Sequence, residues 1–397
     1  MKRNDLYKRV GCLGLSLALA LTLSACGNSA PSEEVPASQQ TADSASTDLV
    51  WETIPADEIP SETEETVIEE TEPEENHDGQ YRSELTNEWL DESIQNQRPI
   101  AVMVDNELYA LDHYGLNQAD IIYEMMNSTA NGRITRLMCL VKDYAKLTQF
   151  GSVRSVRPTN FMIAAEYNAI LCHDGGPFYI NDYVGKYYTN NLNGGFARFS
   201  NGKAVEFTEY ITYDTYTNPT TGKTYDGLKQ RLENSRYSID YNDNYEGPHF
   251  TFSDEKLDLS SYDNVKDATY VDLPFPHNSS ELNYDADTDT YGYYEYGDAH
   301  IDPLDDSNIL RFTNLIVYSC DFHQYDENGY MVYNVVSSGE GYYITGGKAI
   351  PITWSKSGEA AQTVFKVKAT GEEIVMNTGK TYIAIVPSDK WSELGIQ

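Results

Sequence analysis

Residues 98–106 read Arg-Pro-Ile-Ala-Val-Met-Val-Asp-Asn, an apolar run that ends in two polar residues. An uninterrupted run of this kind predicts a strand buried on both faces. Further apolar runs at 119–126 and 133–141 predict neighbouring strands. Pro158 opens a predicted helix that extends to Tyr167, and a buried strand is predicted at 169–172. Strands that alternate with a helix predict an α/β part with a mixed sheet over residues 86–240.

The pattern changes in the second half of the chain, residues 241–397. Short apolar runs separated by turn signals predict a mostly antiparallel, β-rich part, so that the whole body is expected to be α+β. A second helix is predicted at 225–232, and residues 234–306 have too weak a periodicity to define elements. The strands are expected at 314–320, 330–336, 342–345, 349–354, 364–367 and 383–386, with a turn at 339–341.

The N-terminus has the three regions of an export signal. Basic residues come first, an apolar run follows at 11–23, and Leu23-Ser24-Ala25-Cys26 resembles the lipobox of bacterial lipoproteins. The apolar run is too short to cross about 30 Å of hydrocarbon. We therefore expect residues 1–25 to be a signal peptide and Cys26 to carry a diacylglyceryl anchor. That anchor would hold the protein on the extracytoplasmic face of the plasma membrane.

Residues 26–85 are expected to be a disordered acidic tether, because they contain few apolar residues that could form a core. The net charge of the chain is −34. The first 25 residues contribute +3 and residues 27–78 contribute −16, which leaves −21 for the rest. A body this acidic repels nucleic acid, so no nucleic-acid partner is expected.

Several motifs resemble, in order, those of the YerB-type bacterial lipoproteins, a family defined by domains of unknown function. They are residues 98–106, Ala-Asp-Ile-Ile-Tyr-Glu at 119–124, Gly-Ser-Val-Arg-Ser-Val-Arg-Pro at 151–158, Cys-His-Asp-Gly-Gly at 172–176, Gly-Glu-Gly-Tyr-Tyr at 339–343 and Asn-Thr-Gly-Lys-Thr at 377–381. The resemblance implies an N-terminal domain at 86–240 and a C-terminal domain at 241–397. It implies no activity, because the family has none that is settled.

Polar residues next to predicted strand ends and turns are expected to form a ligand pocket. Ends of parallel strands converge at one edge of an α/β sheet, and guanidinium groups bind carboxylates and phosphates bidentately. The set predicts a site for an anion or glycan of the cell wall. The alternative is that the arginines form internal ion pairs. The candidate residues are Asp105, Asn106, Arg136, Arg154, Arg157, His173 and Asp174.

The sequence favours a binding protein over an enzyme. Ser155 lies in no Gly-x-Ser-x-Gly elbow, and the histidines have no metal-binding spacing, so no catalytic residue, metal or cofactor is predicted. An envelope-polymer hydrolase or transferase that uses the same cleft is the alternative. Cys139 and Cys172 are expected to be buried thiols, as is Cys320, although a bridge between the first two remains open.

Overall fold

The apolar stretch at residues 98–106 forms strand β1 (Ile100–Asp105), which lies within an eleven-stranded sheet. The computed structural model that contains this sheet describes residues 76–397. The predicted signal peptide, Cys26 and residues 27–75 of the predicted tether lie outside the described residues. Residues 76–85, the last part of that tether, include the strand Gln80–Arg82 and the buried Leu85, because Gln80–Arg82 pairs with Trp89–Asp91.

The central sheet takes strands from both predicted parts of the chain. The first part supplies β1, β2 (Ile121–Met126), β3 (Thr135–Val141), β4 (Ile170–His173) and β5 (Asn191–Asn193). The second part supplies β6 (Lys266–Asp267), β7 (Asn314–Cys320), β8 (Ser338–Thr345), β9 (Lys348–Ser355), β10 (Val364–Val367) and β11 (Thr381–Pro387). Their spatial order is β6-β9-β8-β7-β11-β2-β3-β1-β4-β5, and β10 pairs with β9.

Parallel and antiparallel pairs both occur in this sheet. Strands β2, β3 and β1 pair antiparallel, whereas β1 with β4 and β4 with β5 are parallel. The second part is mostly antiparallel, but it is not a simple meander, because β7 pairs in parallel with β11. Strand β11 then pairs in parallel with β2, which joins the two parts within one sheet.

A second, six-stranded sheet covers part of the central one. It is built from Asp298–Ala299, Thr290–Glu295, Glu281–Asp285, Tyr270–Asp272, Gly395–Ile396 and Arg311–Phe312. Smaller pairings are formed by Gln80–Arg82 with Trp89–Asp91, Phe150–Gly151 and Ala197–Arg198 with Glu209–Ile211, Tyr216–Thr217 with Thr224–Tyr225, Thr251–Phe252 with Val375–Met376, Ile301–Asp302 with Asp305–Ile309, and Phe322–Gln324 with Met331–Tyr333.

The described residues contain three α-helices. Helix α1 (Pro158–Glu166) begins at the proline that predicted it, α2 is Asn181–Val184, and α3 is Leu228–Ser235. The many strands and few helices confirm the predicted α+β class.

Alternate residues of the central strands face two separate hydrophobic cores. Met103 and Tyr123 pack with Phe161 of α1 on one face, whereas Val102 and Ile122 pack on the other face in the core that contains the second sheet. This alternation follows from the two-residue period of a strand. Because both faces are covered, the strands contain continuous apolar runs, which explains why the sequence predicted them.

The three described cysteines are buried free thiols. Cys139 and Cys172 both stand opposite Val102, on the two strands that flank β1. Strand β1 therefore separates them, and they do not form a bridge.

Candidate functional site

Asp105, at the end of β1, is fully buried and forms ion pairs with two arginines. Arg136 stands directly opposite it on β3, and the Arg136 Nη1 atom lies 2.7 Å from Asp105 Oδ1. The Arg154 Nε atom lies 2.6 Å from Asp105 Oδ2. The Asp105 carboxylate thus forms an ion pair with each of two guanidinium groups. Asp105 and Arg136 are occupied by this internal pairing, which is the alternative to ligand binding.

Asn106 is also buried and bonded internally. Its side-chain amide donates to Thr135 Oγ1 at 2.9 Å and to Glu124 Oε1 at 3.2 Å. Glu124 accepts further bonds from Asn278 and from the hydroxyl groups of Tyr293 and Tyr382. Asp105, Asn106 and Arg136 are thus buried against partners of their own fold, which favours the predicted alternative of internal pairing. A ligand-binding role for these three residues stays a prediction.

Arg157 immediately precedes helix α1, and no ion pair with a carboxylate is found for it among residues 76–397. Its Nη1 atom donates to the Val156 carbonyl at 2.9 Å and to Ser155 Oγ at 3.3 Å. The guanidinium carbon lies 4.1 Å from the ring centre of Tyr330. Burial, and then the charge of Arg136, lower the pKa of Arg157 to about 10. The guanidinium is thus a cation held in a confined place without a carboxylate partner.

Arg154 and Asp174 lie side by side. The Asp174 amide donates to the Arg154 carbonyl at 3.0 Å, since the loop after residue 151 runs along the end of β4. A quarter of the Arg154 side chain is exposed. Asp174 pairs with Arg198 at 3.2 Å, and Arg198 also pairs with Glu209. Burial, and then the neighbouring Asp174, raise the pKa of Glu209 to about 7. Arg154 also pairs with Glu206 at 3.8 Å. Arg154 and Asp174 are therefore both partly exposed, and each is paired with charged residues of the protein itself.

His173 uses both ring nitrogens within the fold. Its Nδ1 atom lies 2.9 Å from the Gly175 carbonyl, and its Nε2 atom lies 3.0 Å from the Asn191 amide nitrogen. Burial lowers the pKa of His173 and favours the neutral ring. Gly175 has a φ of 75°, as a tight turn requires. His173 therefore holds the turn and is a poor candidate for a ligand contact.

A second cluster, which the sequence did not reveal, is formed by His113, Glu295 and His300. The His113 Nδ1 atom lies 3.0 Å from His300 Nε2, and each of these nitrogens lies 3.9 Å from Glu295 Oε1. All three side chains are almost completely buried. The two histidines are 187 residues apart, so no local spacing could have predicted the contact.

The electrostatics of this cluster follow from burial. Desolvation lowers the pKa of His113 and lowers that of His300 to about 4. Desolvation, and then the charge of Glu124, raise the pKa of Glu295 to about 8. The cluster lines a cavity of about 420 Å³, whose wall also includes the exposed Asp112 and Asp298. Three potential metal ligands thus face a space that can admit a small molecule.

Comparisons with known proteins place the chain in a family. Residues 85–237 match the N-terminal domain, and residues 271–383 the C-terminal domain, of the proteins of unknown function described as DUF3048. The chain belongs to the DUF3048 family. The chain is similar to a protein from Bacillus subtilis (strain 168) named "Putative lipoprotein YerB", with 26% identity over 309 residues, which cover 77% of this chain and 86% of that protein.

A crystal structure of the YerB protein from Bacillus subtilis has a similar fold. It matches 80% of this chain and 99% of its own length, with a TM-score of 0.64 and 21% sequence identity. The predicted YerB-type resemblance is therefore confirmed. Within residues 76–397, no helix is both long enough and apolar enough to cross a bilayer.

Proposed function

We propose that this DUF3048 protein is a lipoprotein held on the extracytoplasmic face of the plasma membrane by an acylated Cys26. The lipobox-like Leu23-Ser24-Ala25-Cys26 supports this, as does the name of the Bacillus subtilis relative. Two acyl chains hold a protein to a bilayer stably, so no further membrane segment is required.

The body is proposed to bind an anionic component of the cell envelope where the partly exposed Arg154, Ser155 and Tyr330 surround the buried Arg157, a site that we call the Arg157 surface. The observation that carries this proposal is the Arg157 guanidinium, which has no carboxylate partner among the described residues although the body has a net charge of −21. A confined cation without a counter-ion is costly, and a bound carboxylate or phosphate would offset that cost.

Aromatic side chains in this region could stack on the ring of a sugar-containing ligand. Phe178 is largely exposed and Tyr325 is partly exposed, and Tyr325 stacks on Tyr179 with 3.7 Å between ring centres. Burial raises the pKa of Tyr179 to about 12, and the positive charge of Arg157 acts in the opposite direction, so the Tyr179 hydroxyl lies within electrostatic range of the guanidinium. Rigid aromatic faces next to a guanidinium suit an acidic sugar.

Binding can be tested with the full chain in detergent and two probes, N-acetylmuramic acid for a carboxylate and glycerol 3-phosphate for a phosphate. We expect calorimetry to detect one site for one of these probes. Arg157→Gln should weaken that binding more than about ten-fold, because a charge-assisted pair is lost. Arg133→Gln is the matched control, since Arg133 pairs with Asp389 at a different place. The proposal fails if neither probe binds, or if both variants bind as the wild type does.

The anchor requires a separate experiment. In cells labelled with a fatty acid, the wild-type chain should carry the label and sediment with membranes, whereas Cys26→Ser should lose both properties. A Cys26→Ser chain that still carries the label would disprove lipidation at this residue.

A further inference from the structure

The three atoms that converge in the second cluster have the separations of a metal site. They are His113 Nδ1, His300 Nε2 and Glu295 Oε1, which are 3.0, 3.9 and 3.9 Å apart. A point equidistant from all three lies about 2.1 Å from each, and zinc binds imidazole nitrogen and carboxylate oxygen at about 2.0–2.2 Å. At that point the ion is coplanar with the three donor atoms, so small shifts of the side chains are needed to bring the donors into the tetrahedral geometry of zinc.

The second ring nitrogen of His113 is oriented as in established zinc sites. His113 Nε2 contacts the backbone carbonyl of Asp105, which can only accept a hydrogen bond. The proton therefore lies on Nε2, and Nδ1 presents its lone pair to the cluster. Metal-binding histidines are characteristically fixed in this way by a carbonyl or carboxylate behind the ring.

Glu295 Oε1 supplies an independent indication of a missing ligand. The Glu295 side chain is 2% exposed, and this oxygen has no hydrogen-bond partner among residues 76–397. The other oxygen, Oε2, has long contacts of 3.4 Å with Asn278 and Tyr293. A buried carboxylate oxygen without a partner is costly, and a cation at the point described above would satisfy it.

We propose that His113, Glu295 and His300 bind one divalent transition-metal ion of the Zn²⁺ class. Two imidazoles and one carboxylate favour Zn²⁺ over Ca²⁺ or Mg²⁺, which prefer oxygen ligands. Three protein ligands leave a fourth position, and the three residues line the cavity of about 420 Å³. This is the arrangement of zinc sites that hold a water molecule or a small ligand. The exposed Asp112 and Asp298 give the ion an acidic entrance.

The test uses the full chain, stripped of metal with a chelator, and the metals alone. We expect Zn²⁺ to bind with one ion per chain and to raise the melting temperature, and Co²⁺ to give the visible absorption of a tetrahedral nitrogen and oxygen site. Glu295→Gln and His300→Gln should each weaken Zn²⁺ binding more than about 100-fold, because each removes one of three ligands. Glu295→Gln keeps the size of the side chain and its bonds to Asn278.

His323→Gln is the matched control, since His323 is exposed and lies outside the cluster. It should bind Zn²⁺ as the wild type does. Circular dichroism of each metal-free variant shows whether it is folded, and a variant that is unfolded is replaced by His113→Asn. The proposal is overturned if the wild type binds no Zn²⁺ at one equivalent. It is also overturned if folded Glu295 and His300 variants retain wild-type affinity. Neither result depends on the Arg157 surface.

Discussion

At the scale of single residues, Asp105 stabilises the region that was predicted to be a pocket. It is a buried carboxylate between Arg136, which is itself buried, and Arg154, which is a quarter exposed. Pairs of this kind contribute little net stability compared with an apolar replacement of the whole group, but removal of one partner leaves a buried charge unpaired. The carboxylate is therefore far more important for folding than an exposed acidic residue.

We predict that Asp105→Ala lowers the free energy of unfolding by about 3–5 kcal/mol, because the Arg136 guanidinium would remain buried without a counter-ion. Asp389→Ala is the matched control. Asp389 pairs with Arg133 at the surface, where about half of the carboxylate side chain is exposed. Asp389→Ala should therefore lower the free energy of unfolding by only about 0–1 kcal/mol. Urea denaturation of the wild type and the two variants measures both changes in the free energy of unfolding. A small change for Asp105→Ala, similar to that for Asp389→Ala, would contradict the stabilising role of Asp105.

The sequence identified the residue types of this region correctly but could not identify their roles. Asp105 and Arg136 were recognised because each stands next to the end of an apolar run. Whether such residues meet a ligand or each other depends on the register of β1 against β3, which puts them directly opposite. The contact between His113 and His300 has no signal in the sequence for a related reason, since the two residues lie outside the strands and 187 positions apart, and only the tertiary fold brings them together.

At the scale of elements, the apolar runs predicted the central strands well. The predicted strands at 314–320 and 364–367 match β7 and β10 exactly, and the helix predicted from Pro158 to Tyr167 is α1, which ends at Glu166. The predicted turn at 339–341 is wrong, because these residues lie inside β8. Glycine usually signals a turn, but here it permits close contact between neighbouring strands.

Gly341 allows this contact with β7. A Cβ atom at residue 341 would lie 2.6 Å from the carbonyl oxygen of Val317 and 2.8 Å from the Cβ atom of Tyr318. We predict that Gly341→Ala lowers the free energy of unfolding by about 1–3 kcal/mol, because a strand in the middle of the sheet would have to shift. The measurement is thermal or urea denaturation.

Gly185 provides the control for this substitution. A Cβ atom at residue 185 would meet no other atom within 4 Å, and its φ is −94°, which any residue can adopt. Gly185→Ala should therefore leave stability unchanged or raise it slightly. A Gly341→Ala protein as stable as Gly185→Ala would show that β8 has room for a methyl group.

At the scale of the whole molecule, the arrangement of strands determines how the chain can be divided. The sequence predicted domains at 86–240 and 241–397, and that division stays a prediction. The pairing of β2 with β11 joins residues about 260 positions apart along five consecutive residue pairs. Such a long-range parallel pair leaves no local signal in the sequence. The apolar residues of each strand indicate that the strand is buried, but they do not indicate which strand it pairs with.

We predict that residues 76–397 unfold in one cooperative transition. The two cores each contain residues from both halves of the chain, so neither half can lose its structure without exposing apolar surface of the other. Hydrogen exchange at increasing urea, followed by mass spectrometry, provides the measurement. Peptides from β1 and from β8 should reach the same free energy of opening. A lower value for one half would show that it opens separately.

The same argument predicts the behaviour of a chain cut after residue 240. A fragment of residues 76–240 would retain β2 but lose β11, so the backbone of Ile121–Met126 would become an unpaired edge made of buried apolar residues. Exposed apolar edges pair with other chains, and we therefore expect this fragment to aggregate when it is expressed alone. Co-expression with residues 241–397 should restore a soluble complex, because β11 can then cover the edge. A soluble, monomeric and folded 76–240 fragment would contradict the dependence of the first half on β11.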